Sequence, residues 1–519
     1  MHLSSIASAA LVAIAASSSC LLGGADAAVV PPSDGGVVRL PLIRSANGQL
    51  AQLKHLESTP LDKREARASL YNAFGREYLI EVGVGTPAQM FNLTLDTGSA
   101  ELWIPSTACP ATSCPYDRFD SSKSSTFEAT VQSFSIEYGV GTAEGTYGVD
   151  TVTVGTAKVD KQTIGLASNS GNILGIVSSG EQSNGILGLG FGGLNTARGA
   201  SNDEPFPFNL ASTLNDPVFS IFLNSHFSFG VSGEIMFGGI DTSKHTGDIQ
   251  YVPVVNYDTT NYLVSPNVGA DGKKSGTNLY WSVAGQGVKA NSYSKSLPSV
   301  QAFILDTGTT LTMIPKTYAE GILGAVTGST SKYSWDELNG VYRIDCSFKT
   351  STDKVEFQIS TATDSASTSP VTISTPVSEM IIPLDSDYID SATSCMFGIT
   401  ASSSGLTAGE SWIIGEASLR SMYSVYDMKN NRVGLAPVNL DGAGKYTPAR
   451  SDGQAIDSTT TSTTQDNQND DDKDNDTDAD AQSANDKVDQ GESKAPAGAA
   501  MVNLAMGAAV SAMASYWLM

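Results

Sequence analysis

Hydrophobic and polar residues alternate in short bursts along the middle of this chain. Phe134-Ser135-Ile136-Glu137-Tyr138 and Val149-Asp150-Thr151-Val152-Thr153-Val154 are examples, rich in β-branched residues and bounded by glycine. A period of two buries one face of a pleated strand, and glycine supplies the turns between strands. Helical periodicity is sparse: Tyr318 to Val326 and Leu419 to Tyr423 carry it best. The pattern predicts a mostly β body in two lobes, joined near residues 245–260.

Both ends depart from this pattern. Residues 1–27 hold an apolar run, Ala9 to Ala16, then Ala25-Asp26-Ala27, an A-x-A-type cleavage site, and read as a secretory signal. Residues 28–64 end in the dibasic pair Lys63-Arg64 and read as a propeptide cut by a proprotein convertase. The body then divides into 65–250 and 251–440. Residues 441–491 form an acidic stalk rich in Ser, Thr and Asp, with too little apolar surface to offset chain entropy. Residues 492–519 end in an uncharged apolar run from Ala499 to Met519 with no basic residue after it. That fits a removable GPI-attachment signal better than a spanning helix, with Gly491 carrying the lipid and Asn485 and Ser493 as alternatives. The expected location is the cell surface, at the plasma membrane or cell wall. Asn92-Leu93-Thr94 and Asn475-Asp476-Thr477 are glycosylation sequons.

Charge sharpens the division. The formal net charge is -24. The front segment is net +2 and the body, residues 65–440, net -16, which suggests an electrostatic contact between them. An acidic surface of this size repels phosphate, so nucleic acid is excluded as a partner. Outside the leader there are four cysteines, Cys109, Cys114, Cys346 and Cys395. An even count in a secreted chain reads as two disulfides, with a zinc site as the alternative. Pairing Cys109 with Cys114 and Cys346 with Cys395 keeps each bridge within one half of the chain. The sequence calls for no metal and no cofactor, and a monomer is expected.

One pattern is written twice. Phe91-Asn92-Leu93-Thr94-Leu95-Asp96-Thr97-Gly98-Ser99 continues to Leu102-Trp103-Ile104-Pro105. Phe303-Ile304-Leu305-Asp306-Thr307-Gly308-Thr309 continues to Thr312-Met313-Ile314-Pro315, 210 residues later. Each copy is an apolar strand, Asp-Thr-Gly, a hydroxyl residue, then an apolar residue, Ile and Pro. Each is echoed about a hundred residues on by two apolar residues and a glycine, Ile186-Leu187-Gly188 and Ile413-Ile414-Gly415. A Gly-rich hairpin, Tyr138 to Gly148, lies between the first copy and its echo.

Over residues 75–440 these motifs resemble the pepsin family of aspartic peptidases. With the leader, the Lys-Arg segment and the tail, the whole resembles its yapsin-type, surface-anchored fungal branch. The resemblance implies a bilobal acid-protease fold with a central cleft, and hydrolysis of peptide bonds in protein or peptide substrates. Asp96 and Asp306 would be the catalytic pair. Two carboxylates sharing one proton can deprotonate an attacking water and protonate the carbonyl oxygen, because like charges this close cannot both ionise. Thr97 and Thr307 would lock the loops, and Ser99 and Thr309 would bond the outer carboxylate oxygens. Gly98 and Gly308 would allow the turn, and Gly188 and Gly415 would leave room behind each Asp. Tyr138 and Gly139 would form the flap, with Trp103 bonded to the tyrosine; Val140 departs from the hydroxyl residue common there. Glu137, Asp203 and Glu204 would favour Lys or Arg near the scissile bond.

Two other functions compete. An inactive pepsin-fold binding protein usually lacks an Asp, a Gly or the flap tyrosine, and all are present here. A surface mannoprotein explains the tail and leaves the duplicated motif unexplained. His226 and His245 have no Gly-x-Ser-x-Gly or His-Glu-x-x-His companion, which disfavours serine and metallo-hydrolases.

Overall fold

The computed structural model describes residues 78–440 except 139–140, 172, 175–182, 196–203, 226–229, 258–262, 265–277, 338, 387–388 and 403–410. It also describes three upstream strands, Val29–Val30, Val38–Arg44 and Leu70–Asn72. Signal segment, Lys63, Arg64, Asn475, Gly491 and the tail lie outside the described residues, as do Gly139, Asp203 and His226.

The first half folds as a nine-stranded sheet. Its path runs through Val29–Val30, Ala157–Asn169, Leu102–Pro105, Ile186–Gly188, Gln89–Asp96, Tyr78–Val84, Gly141–Val154 and Glu128–Tyr138. The long hairpin Glu128–Tyr138 with Gly141–Val154 realises the alternating segments of the sequence. The second half holds a seven-stranded sheet that includes Tyr293–Leu305, Thr312–Ile314 and Trp412–Ile414, and a four-stranded sheet around Val341–Ile344.

A six-stranded sheet joins the two halves. In order it contains Gln250–Pro253, Arg432–Pro437, Met422–Asp427, Val218–Leu223, Gly230–Phe237 and Val38–Arg44. The boundary drawn at 250/251 therefore falls inside a strand of this sheet. The basic front segment adds its outer strand, with Val38 opposite Phe237 and Arg44 opposite Gly230.

Helices are few. Lys316–Thr327 is helical, starting after Pro315 and ending at Gly328 in the left-handed region (φ 68°), where glycine carries no Cβ penalty. It buries Ala319, Ile322, Leu323 and Val326, the stripe that the sequence periodicity marked. The second expected helix is different. Only Glu416–Leu419 is helical, and Met422–Asp427 is a strand buried on both faces. A strand covered on both sides has no polar alternation, so its apolar run mimics a buried helix.

Both expected disulfides form, Cys109–Cys114 and Cys346–Cys395, with sequence separations of 5 and 49. Closing the longer loop removes more unfolded-state entropy, about 4 against about 2 kcal/mol in the chain-entropy model. Replacing Cys346 and Cys395 by serine should therefore lower stability about 2 kcal/mol more than replacing Cys109 and Cys114, as read by denaturant unfolding. Equal losses would overturn the loop-length argument.

Candidate active site

Each Asp-Thr-Gly loop is clamped by its echo motif. Gln89–Asp96 enters the first loop and pairs in parallel with Ile186–Gly188, placing Gly188 beside Asp96. The same short strand pairs antiparallel with Leu102 and Trp103, which leave the loop. The second half repeats the arrangement: Phe303–Leu305 runs parallel to Trp412–Ile414, and Met313 pairs antiparallel with Ile413. Leu95 and Leu305 are fully buried, so each Asp stands at the end of a strand anchored in core. The glycine that ends each echo strand is sterically required. A Cβ on Gly188 would lie 2.4 Å from the Ala100 backbone, and one on Gly415 2.4 Å from the Leu311 carbonyl oxygen.

The two loops are bonded to each other. Thr97 Oγ1 donates to the Leu305 carbonyl oxygen at 2.8 Å and accepts from the Thr307 amide at 3.0 Å. Thr307 Oγ1 donates to the Leu95 carbonyl oxygen at 2.7 Å and accepts from the Thr97 amide at 3.2 Å. Both threonines are at most 1% exposed.

These bonds bring Asp96 and Asp306 face to face. The Gly98 amide donates to Asp96 Oδ1 (2.7 Å) and Ser99 Oγ to Asp96 Oδ2 (2.5 Å). The Gly308 amide donates to Asp306 Oδ1 (2.8 Å) and Thr309 Oγ1 to Asp306 Oδ2 (2.6 Å). A Cβ on Gly98 would sit 2.6 Å from the Asp306 carboxyl, and one on Gly308 2.4 Å from Asp96 Oδ1. Any side chain at either glycine would separate the carboxyls.

Asp96 is the more buried of the two, at 6% exposure, while Asp306 is half-buried. Burial, and then the Asp306 charge, push the Asp96 carboxyl up to about 8 against the pull of Ser99 and Gly98. The Asp96 carboxyl therefore keeps its proton well above the ordinary carboxylate range.

The flap residues meet over this loop. Trp103 Nε1 donates to Tyr138 Oη at 3.0 Å, and their rings lie 6.5 Å apart. Burial, then the charges of Asp96 and Glu101, hold the Tyr138 phenol well above its usual range, so it stays neutral. Glu137 stands exposed on the same strand, and Glu204 packs against Gly192. Asn92 is half-buried in the strand leading to Asp96, and the hydroxyl of its sequon Thr94 donates to Ser183 Oγ. His245 stacks on Tyr423 and contacts the Gly247 carbonyl oxygen. Among the described residues no cluster of three His, Cys, Asp or Glu is placed to hold a metal.

Other residues complete the site. Glu101 is 4% exposed and accepts from Tyr147 Oη at 3.4 Å. Trp281, 0% exposed, donates its indole N–H to the Leu189 carbonyl oxygen at 2.9 Å, and the Leu189 amide donates to the Asp96 carbonyl oxygen at 2.7 Å. Trp281, Phe219, Phe191 and Tyr426 form an aromatic floor, Phe219 and Tyr426 stacked at 4.7 Å and 11°. Only the folded sheet brings these rings to the loops. The pairing of a second-half tryptophan with the first Asp loop is invisible along the chain.

Known proteins share this construction. The family model for the eukaryotic aspartyl protease matches residues 77–438. Gastricsin from Cavia porcellus is 32% identical over 363 residues, 69% of this chain and 79% of its own length. Mucorpepsin from Rhizomucor pusillus is 30% identical over 427 residues, 78% of this chain and 91% of its own. The crystal structure of an aspartic proteinase from Irpex lacteus superposes with a TM-score of 0.53 at 27% identity, covering 72% of this chain and 96% of that one. With a family match spanning most of its body and two Asp-Thr-Gly loops bonded face to face, the chain belongs to the pepsin-type eukaryotic aspartyl proteases.

Proposed function

We propose that Asp96 and Asp306 hydrolyse peptide bonds as one acid–base unit, on substrates in the secretory pathway or at the cell surface. The observation that carries this reading is the reciprocal Thr97–Thr307 bonding, which holds the two carboxyls face to face. Ionised Asp306 takes a proton from a water as its oxygen attacks the scissile carbonyl carbon. Protonated Asp96 gives its proton to the carbonyl oxygen, forming a neutral gem-diol. Collapse of the diol breaks the C–N bond, the amine leaving with a proton and the pair returning to its starting state. Tyr138 and Trp103 shield the reacting atoms from bulk water as the flap closes.

The finer reading follows the yapsin-like layout. Residues 28–64 serve as a propeptide released after Lys63-Arg64, and the strand Val38–Arg44 on the six-stranded sheet supports its seating on the body. Residues 441–491 tether a monomeric peptidase to the surface through a GPI lipid at Gly491, with a glycan at Asn475. Glu137 and Glu204 favour basic residues near the scissile bond. Release of the protein from cells by phosphatidylinositol-specific phospholipase C supports the anchor, and retention in the membrane pellet counts against it. A peptide-library cleavage profile indifferent to Lys and Arg would sink the specificity.

Catalysis requires one protonated and one ionised carboxyl, so activity should be lost at alkaline pH as the shared proton leaves and be blocked by pepstatin. Asp306→Asn keeps the shape and removes the base. It should cost at least about 10⁴-fold in kcat/KM with the thermal midpoint little changed. Proteolysis persisting in that variant refutes the assignment.

The raised Asp96 carboxyl also shapes stability. Below its ordinary value of 3.8 both folded and unfolded states hold the proton. Between 3.8 and about 8 the unfolded residue ionises while the folded one keeps its proton, so stability falls as pH rises and then levels off. Asp96→Asn should flatten this fall in unfolding measurements across the same window. An unchanged slope would show that the proton is held elsewhere.

A further inference from the structure

Glu101 is a buried carboxyl that the proposed chemistry leaves without a role. It is 4% exposed, and one of its oxygens, Oε1, accepts from Tyr147 Oη at 3.4 Å. Tyr147 is 2% exposed and belongs to an apolar cluster with Trp103, Phe134, Ile136 and Ala143. Its ring meets Phe134 edge-on at 5.4 Å and 70°. Phenylalanine at 147 would keep that contact. An apolar residue at 101 would spare the cost of taking a carboxyl out of water. Stability alone calls for neither polar group.

The bond joins two elements that border the catalytic pair. Glu101 immediately precedes the strand Leu102–Pro105, and the Gly188 amide donates to its carbonyl oxygen at 3.0 Å. Gly188 also stands beside Asp96 in the parallel pairing, so one residue holds both. Tyr147 lies on Gly141–Val154, the return strand of the flap hairpin. Two residues past Glu101, Trp103 donates to Tyr138, which ends the outgoing strand Glu128–Tyr138. Phe134 fills the space between the two contacts, 6.4 Å from the Trp103 ring and 5.4 Å from the Tyr147 ring. Each strand of the hairpin is thus fixed through a phenol to the segment that leaves the Asp96 loop.

We propose that Glu101 and Tyr147 are positioning residues for substrate binding, a second latch that works with Trp103 and Tyr138 to set the tilt of the flap over Asp96. This rests on the peptidase reading of the two aspartates. A hairpin held by one strand pivots about that contact. Held by both, it cannot twist without breaking one of them. At 3.4 Å the Glu101 bond is longer than the about 2.7–2.8 Å of a relaxed O–H···O bond, so it shortens as the return strand settles under a bound peptide. The latch acts on the flap whether the scissile bond is intact or reacting. It therefore contributes equally to ground-state and transition-state binding, and its loss appears in KM.

A double-mutant cycle on the active enzyme tests this. Tyr147→Phe removes one atom and no ring contact. KM for a peptide substrate should rise about threefold to tenfold, the range a single hydrogen bond sustains, with kcat within about twofold and the thermal midpoint held or raised. Glu101→Leu should match it. Glu101→Gln keeps an acceptor oxygen and should bring KM back to within about twofold of the wild-type value. The double variant Glu101→Leu/Tyr147→Phe should be no worse than either single change, because both remove the same bond. A Tyr147→Phe enzyme with wild-type KM overturns the inference, whatever its stability. So do losses that multiply in the double variant, or a Glu101→Gln enzyme as impaired as Glu101→Leu. If Glu101→Leu does not fold, Tyr147→Phe and Glu101→Gln decide the matter between them. A wild-type protein without peptidase activity, or an active Asp306→Asn, would instead overturn the parent assignment.

Discussion

Four hydrogen bonds between Thr97 and Thr307 and the opposite loops hold this molecule's chemistry together. They join residues 208 to 212 positions apart, and each threonine both donates and accepts. Buried polar groups that are fully matched in this way are stiff, because any movement leaves donors or acceptors unpaired in a place without water. The carboxyls are therefore set by the loops and not by their own attraction, which two like charges lack. The remaining structure supports those bonds. Echo strands hold the loops from behind, the aromatic floor braces them from below, and the central sheet fixes the relation of the halves.

The pair works because its halves are similar without being equivalent. Both carboxyls receive one amide and one hydroxyl, so both are stabilised as anions to a similar degree. Burial then separates them: Asp96 is covered and Asp306 is half open. A symmetric frame brings the carboxyls together, and an asymmetry of burial raises Asp96.

Much of this was legible in the chain because it is local. Asp96, Asp306 and their threonines, glycines and hydroxyl residues occupy two short strings, and the alternating hairpin around Tyr138 announces its strands. The echo motifs were legible as a repeat, and the sheets explain why: one short strand must pair with both arms of its loop. What stayed hidden is what depends on strands meeting across the sheets. Trp281 lies in ordinary apolar surroundings along the sequence, and nothing next to it marks its approach to the first Asp loop. The apolar run Leu419 to Tyr423 reads as helix but passes into the strand Met422–Asp427, because a strand buried on both faces loses the alternation that identifies strands.

The central sheet also orders events in time. Its inner strands, Val218–Leu223 and Met422–Asp427, are separated by some two hundred residues, and Arg432–Pro437 closes beside them near the end of the folded body. Pairings this distant in sequence form slowly, because a large loop must be closed before any contact rewards it. While the chain is synthesised from its amino terminus, the first Asp loop exists for a long interval with nothing opposite it. A half-made molecule holds one aspartate and no pair. The chain cannot digest its neighbours, or itself, until its last strands have arrived.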